Sequence, residues 1–317
     1  MRIVFMGTPE FAAASLERLY NDGHDVAGVI TQPDKPNKRG KAVSYSPVKK
    51  IALSHNTPLY QPVSPGDSLF LGELYKLKCD IIVVTAYGRL LPPVILAMPP
   101  MGCINIHGSL LPKYRGAAPV QRAVLNGETE TGVTSMYMAE EIDSGDILLS
   151  EKTKIGENET AEELYARLSI LGAGLLSKTL TGLQRGVIVR SPQKSDEATY
   201  APALSKDMAP VDWTRSAVQI KRAVLGLTPW PVASASLGGT DFKLHTVEIC
   251  EAELCDANED SADYFQPGHI ISADRRGIKV ACADGAILIK ELQAPGGKRM
   301  SAADYLRGRP NFLNRGV

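Results

Sequence analysis

The stretch RIVFMGTPEFAAASLERLY, Arg2 to Tyr20, decides how the first half of the chain is read. Arg2 to Met6 is apolar and branched and stops at Gly7, whereas Phe11 to Tyr20 carries apolar residues at helical spacing, so the order is strand, turn, helix. Thr8 is expected to cap that helix by accepting a bond from a free N–H, with Pro9 at the first helical position. Three more apolar runs follow, Asp25 to Thr31, Asp80 to Ala86 and Cys103 to His107, separated by helix-length segments. Continuous apolar strands of this kind are buried on both faces, which predicts a Rossmann-like, doubly wound α/β unit with a mostly parallel sheet.

Further along, Ala161 to Leu183 places Leu164, Leu168, Leu171 and Leu175 at helical spacing and predicts one long helix closing the sheet domain. The polar run from Val189 to Leu204, with Pro192 and Pro202, reads as a linker. Beyond it a helix is expected at Ser216 to Leu225, followed by short apolar segments at Val232 to Leu237, Lys243 to Ile249, Ile278 to Cys282 and Ala286 to Leu292. Gly and Asp turns separate these segments, which points to a small β-barrel or sandwich. A chain of 317 residues exceeds what one core usually serves, so two domains are expected, at 1–189 and 206–317, joined by 190–205.

Composition excludes several classes. The 44% hydrophobic and 22% charged residues are those of an ordinary globular protein, and 35 basic against 35 acidic residues leave no chain-wide charge for nucleic acid. The N-terminus turns polar too soon for a signal peptide, and no run of about 18 apolar residues occurs, so a soluble, cytoplasmic protein without a membrane segment is expected. The five cysteines and five histidines lack metal-ligand or redox spacings; no metal is implied. Gly7-Thr8-Pro9 lacks the spaced glycines of a dinucleotide fingerprint. From Lys206 onward fourteen basic residues face fourteen acidic ones, but Glu248, Glu251, Glu253, Asp256, Glu259, Asp260 and Asp263 crowd one stretch, expected to be an exposed loop. The remainder carries a surplus of seven positive charges, which permits a local basic face. Trp230, between Pro229 and Pro231, reads as a packing anchor rather than a stacking platform.

The polar residues that stand out are Asn105 and His107. Two apart in one strand, they share a face, and they sit at the carboxyl end, where parallel sheets bind ligands. The loop from Gly108 to Gly116 sets two glycines and a proline around polar groups, which lets backbone approach a ligand.

With those residues in view, the stretch INIHGSLLPKYRGAAP, together with Glu141-Ile142-Asp143-Ser144-Gly145-Asp146-Ile147, resembles the signature of the folate-dependent formyltransferases. MGTPEFA, TQPDKP with Arg39-Gly40-Lys41, Ser46-Pro47-Val48-Lys49, RGAAPVQRAVLNGETETGVT, Trp213, Pro229-Trp230-Pro231 and Gly296-Gly297-Lys298 extend the resemblance over nearly the whole chain, to the branch that acts on methionyl-tRNA. The resemblance implies that 10-formyltetrahydrofolate is the co-substrate, initiator methionyl-tRNA the acceptor, and Asn105, His107 and Asp143 the catalytic residues. It implies a folate-binding element at Ser109, Leu110, Leu111 and Pro112, and a C-terminal barrel of oligonucleotide-binding (OB-like) type that helps to hold tRNA. Arg39, with Lys38 and Lys41, is carried over as a tRNA contact, and Lys206 and Lys298 lead the phosphate-contact candidates, with Arg215, Lys221, Arg222 and Arg299. A monomer is expected. The chemistry suits these residue types: attack on the formyl carbon creates an oxyanion, Asn105 and a charged His107 can donate to it, and Asp143 can orient His107 and balance its charge. Sugar-nucleotide and glycinamide-ribotide formyltransferases resemble the Asn105 to Arg115 region too, and the second domain argues against them.

Overall fold

Strand β1 (Arg2–Gly7) runs through the middle of a seven-stranded sheet, and its residues from Ile3 to Met6 are fully shielded. The computed structural model describes residues 1–36, 43–250, 266–309 and 312, and the chain divides into two units. The first unit comprises Met1–Val120, Glu130–Ile155 and Glu163–Pro202; the second comprises Gln121–Thr129, Gly156–Glu162 and the described residues of Ala203–Val317.

In the first unit the strands are β1, β2 (Asp25–Ile30), the short β3 (Lys35–Pro36) and β4 (Val43–Ser44), β5 (Leu59–Tyr60), β6 (Ile81–Thr85), β7 (Cys103–His107), β8 (Glu130–Tyr137) and β9 (Ile147–Lys154). The main sheet has the order β5-β2-β1-β6-β7-β8-β9, parallel up to β7 and antiparallel from β7 to β9; β3 and β4 pair only with each other. The strand order reverses between the parallel neighbours β1 and β6, and the carboxyl ends there form the crevice where such sheets hold ligands. The helices are α1 (Glu10–Asn21), α2 (Pro47–Ser54), α3 (Ser68–Lys76), α4 (Pro93–Leu96), α5 (Pro119–Asn126), which belongs to the second unit from Gln121 on, and α6 (Ala161–Gln184), whose first two residues do.

Both sheet faces are covered. Val4 and Met6 of β1 join Phe70 and Leu74 of α3 and Ile95 of α4 in one apolar cluster. Against the other face lies α6, where a Cβ on Gly172 would come within 2.9 Å of Ile106, and Phe11 of α1 meets Tyr165 of α6 with ring centroids 5.1 Å apart. Since Ile106 faces α6, alternation puts Cys103, Asn105 and His107 on the opposite face of β7.

Three details differ from the sequence reading. Helix α1 starts at Glu10 with Pro9 as its N-cap and no side-chain cap. Thr8 lies one residue too early, and its hydroxyl instead accepts from the Gln32 backbone N–H at 3.3 Å and from Thr31 Oγ1 at 3.4 Å, joining the ends of β1 and β2. The strand expected at Asp80 to Ala86 ends at Thr85 because Ala86 takes φ +45°, which leaves the extended region. Strands β8 and β9, like the two-residue β3, β4 and β5, have no counterpart in the sequence reading.

In the second unit, helix α7 (Ala217–Gly226) opens with a reciprocal cap in which the Ser216 side chain accepts from the Gln219 N–H and Gln219 accepts from the Ser216 N–H. Strands β10 (Ser234–Leu237), β11 (Thr240–Cys250), β12 (Ile270–Asp274), β13 (Gly277–Cys282), β14 (Gly285–Gln293) and β15 (Met300–Ser301) precede helix α8 (Ala302–Arg307). Among the described residues they form a curled, barrel-like antiparallel sheet in the order β10-β11-β14-β13-β12, with β15 on β14. Its core gathers Phe242, Ile278, Ile287 and Ile289, and Tyr305 meets Phe242 edge-on at 5.0 Å. Trp213 packs against that core, whereas Trp230 is 49% exposed and is no packing anchor; both peptide bonds leading into its flanking prolines are cis. Of the acidic stretch, Glu248 belongs to β11 rather than to a loop, and the acids from 251 to 263 lie outside the described residues. No described helix is long and apolar enough to cross a membrane.

Candidate active site

Strand β7 delivers Asn105 and His107 side by side at its carboxyl end, 9% and 6% exposed, with Asn105 in register with Val84 of β6 and His107 with Thr134 of β8. Asp143 comes from the turn between β8 and β9 and adopts φ +50°, a conformation uncommon for a side-chain-bearing residue. Its carboxylate faces both: Oδ1 lies 3.5 Å from Asn105 Nδ2, and Oδ2 lies 3.6 Å from His107 Nδ1. Oδ2 also accepts a 2.8 Å bond from the Gly116 backbone N–H. The two contacts to Asn105 and His107 are longer than settled hydrogen bonds, so the Asn105 amide N–H stays available to a reacting group, as does His107 Nδ1, which donates only in the doubly protonated ring.

The other ring nitrogen is committed. His107 Nε2 lies 2.9 Å from the Tyr114 carbonyl oxygen, an acceptor, so Nε2 carries a proton and Nδ1 is the nitrogen turned towards Asp143. Tyr114 holds that carbonyl in place from φ +61°, with its N–H on Thr199 Oγ1 at 2.9 Å.

The loop after β7 is fixed from beneath by Thr134, which is fully buried. Its hydroxyl donates to the Ser109 carbonyl at 2.7 Å and accepts from the Leu111 N–H at 3.2 Å. Ser109 Oγ donates to the Lys113 carbonyl at 2.7 Å, Leu111 is buried, Leu110 and Pro112 are half-buried, and the Leu111–Pro112 peptide is cis. Ser109, Leu110, Leu111 and Pro112 thus form a shaped wall whose backbone polar groups are oriented by a strand residue.

Several contributors were not singled out from the sequence. Thr134 is one polar residue inside an otherwise unassigned strand. Gln193 lies in the segment read as linker, yet its side chain reaches the Asp143 turn, and Thr199 to Ala201 exchange backbone bonds with Arg115. No local pattern announces partners this far apart; a polar run with two prolines looks the same whether it floats or is stitched down.

Of the phosphate-contact candidates, Lys38, Arg39 and Lys41 lie outside the described residues. Lys206 and Lys298 belong to the second unit, are exposed, and make no ion pair with another described residue. Arg215, Lys221 and Arg299 instead pair with Asp212, Glu157 and Glu291. Among the described residues no cluster of three or more His, Cys, Asp or Glu could hold a metal ion. Burial pushes the Cys103 thiol up to about 12, so it is an inert core residue beneath the site.

Comparison with known proteins gives the following. Residues 1–180 match the formyl transferase family model, and residues 203–310 match the formyl transferase C-terminal domain. A methionyl-tRNA formyltransferase of Alkaliphilus oremlandii is 45% identical over 316 residues, covering 100% of this chain and 98% of that protein. One of Pseudoalteromonas translucida is 42% identical over 317 residues, with 100% and 97% covered. Among solved structures, the N-formyltransferase of Helicobacter canadensis, in complex with folinic acid and dTDP-3-aminofucose, shares the fold at a TM-score of 0.66 and 19% identity, covering 91% of this chain and 98% of that one. HypX of Aquifex aeolicus in complex with tetrahydrofolic acid does so at a TM-score of 0.62 and 20% identity; the match covers 99% of this chain and 47% of that longer one.

Proposed function

The chain belongs to the formyl transferase family, and from that premise we propose that it transfers the formyl group of 10-formyltetrahydrofolate to the free amino group of initiator methionyl-tRNA. The observation that carries the chemistry is the meeting of Asn105 Nδ2 and His107 Nδ1 on opposite oxygens of one carboxylate. The acceptor amine attacks the formyl carbon, and the carbonyl oxygen becomes an oxyanion to which Asn105 and His107 donate. Collapse breaks the bond from the formyl carbon to N10 of the folate. The proton lost by the attacking amine goes to that nitrogen, with His107 and Asp143 as the relay. Because Nε2 is held by the Tyr114 carbonyl, Nδ1 is the nitrogen that serves the oxyanion.

Ser109, Leu110, Leu111 and Pro112 are assigned to the folate, with the loop shape supported by Thr134. Residues 1–189 are assigned to catalysis, 190–205 to the connection and 206–317 to tRNA, with Lys38, Arg39, Lys41, Lys206 and Lys298 contacting phosphate. The acceptor is supported by relatives of full length that bear both family regions. A tRNA acceptor places the reaction in the cytoplasm, and one chain holds the complete trio, in keeping with a monomer.

The test offers the purified protein 10-formyltetrahydrofolate with methionyl initiator tRNA, with an amino-sugar nucleotide, and with glycinamide ribotide, at stated salt. Transfer to methionyl-tRNA alone is expected. Transfer confined to a small acceptor overturns the assignment.

A further inference from the structure

The segment behind the site is built into it. Ser191 exchanges two backbone bonds with Ile147 at 2.8 and 2.9 Å, and farther on the Arg115 N–H bonds the Thr199 carbonyl at 2.8 Å while the Ala201 N–H returns to the Arg115 carbonyl at 2.7 Å. Between these anchors stands Gln193. Its Nε2 donates to the carbonyl oxygens of Asp143 at 2.8 Å and Gly145 at 2.7 Å, and its Oε1 accepts from Arg115 Nε at 3.0 Å and Nη2 at 2.8 Å.

That arrangement fits one orientation of the amide only, because a guanidinium solely donates and a carbonyl solely accepts. The amide is saturated, and the Arg115 side that grips it is buried, 5% exposed. On the other side the turn is closed off, since a Cβ on Gly145 would come within 1.9 Å of the Tyr137 carbonyl oxygen. Arg115 also precedes Gly116, whose N–H holds the Asp143 carboxylate. A single residue pair therefore governs the backbone of Asp143 through Gln193 and its carboxylate through the loop.

We propose that Gln193, braced by Arg115, is the positioning residue for Asp143: it holds the left-handed turn that points the carboxylate at Asn105 and His107. The Gln193 amide bonds the Asp143 carbonyl and none of the three side chains, so its effect on transfer passes through the Asp143 backbone. The inference rests on the role given to Asp143 above.

Two variants test it. Gln193→Leu removes the amide, and Gln193→Glu keeps length and the Arg115 partner but presents an acceptor where the Asp143 and Gly145 carbonyls need a donor. In both, kcat for formyl transfer is expected to fall about 10-fold or more with KM for the folate and the tRNA within twofold. In an Asp143→Asn background, Gln193→Leu should change kcat by less than twofold. Equal losses in both backgrounds would show a general structural role and overturn the proposal. Independently of activity, hydrogen exchange at the Gly116 amide should quicken about 10-fold or more in both variants relative to the amides of β1, which report any global loss of stability. Unaltered exchange there also overturns it. If wild type forms no product, the functional reading fails while the exchange experiment still decides the positioning claim.

Discussion

The carboxyl end of β7 and the charged surface of the second unit use polar residues in opposite ways. At the first, Asn105, His107, Ser109, Arg115 and Thr134 are all buried, and each has a named partner within hydrogen-bonding reach or just beyond it. At the second, Lys206 and Lys298 are exposed and three other cations, Arg215, Lys221 and Arg299, are balanced by carboxylates of the same unit. Buried polar groups are costly unless satisfied, so each has one geometry and its loss is felt at once. Exposed charges are interchangeable and additive. Chemistry is thus concentrated in a few residues, whereas binding of a polyanion is spread over many.

The strongest way to break this contrast is at the trio. Asn105→Ala and His107→Ala should each lower the single-turnover rate at least about 100-fold, the loss of one oxyanion donor. The unfolding midpoint should fall by only a few degrees, the scale of about 1 kcal/mol for one hydrogen bond such as that from His107 to the Tyr114 carbonyl. Rates near wild type would remove both residues from the mechanism. Thr134→Val tests the wall rather than the donors. The isosteric change strands the Ser109 carbonyl and the Leu111 N–H without their buried partner, a cost of about 1–3 kcal/mol. KM for the folate is expected to rise about 10-fold with kcat changed little; a kcat effect with KM constant would assign Thr134 to the chemistry instead.

On the second unit the effects should be small and salt-dependent. Lys206→Ala and Lys298→Ala are each expected to weaken tRNA binding a few-fold and to make the dependence of log K on log salt shallower by about one unit. A large loss from either substitution, or one insensitive to salt, would mean that binding is concentrated after all.

The same contrast explains what is legible in the sequence alone. Asn105 and His107 announce themselves because two residues in one strand share a face, and strand alternation is a strictly local rule. Asp143 is 38 positions from Asn105, in a turn whose left-handed backbone leaves no trace in hydrophobic periodicity; only the motif resemblance supplied it. Gln193 had neither route, and Thr134 closes the stretch RGAAPVQRAVLNGETETGVT, whose resemblance gave it no role. Gln193 contacts Asp143 from 50 positions away, and Thr134 sits in β8, whose pairing partners lie on both sides in space rather than along the chain. Four of the five parallel strands, β1, β2, β6 and β7, and helix α6 were legible because burial on both faces or one stripe imposes a composition; the two-residue β5 is too short to do so. The Thr8 cap failed by one residue, which is the usual limit where several polar groups compete for a helix start.

The smallest expected effect lies on β14 of the second unit and concerns Glu291. Its carboxyl is held below the usual range, first by the Thr246 hydroxyl, which donates to Oε2 at 2.6 Å, and then by the Arg299 guanidinium. A carboxyl depressed in the folded state contributes stability that is fully present above its unfolded pKa, about 4.3, and is lost as pH falls through the lower folded value. Glu291→Gln should therefore be less stable than wild type at pH 7, by under about 1 kcal/mol because the pair is more than a third exposed and screened. The gap should close as the pH drops through the acid range in denaturant titrations. The substitution also frees Arg299, so tRNA affinity should rise slightly, by less than about threefold, if surface charge alone sets binding. A gap that widened towards acid, or a fall in tRNA affinity, would show Glu291 to be part of a built site, and the second unit would then resemble the first.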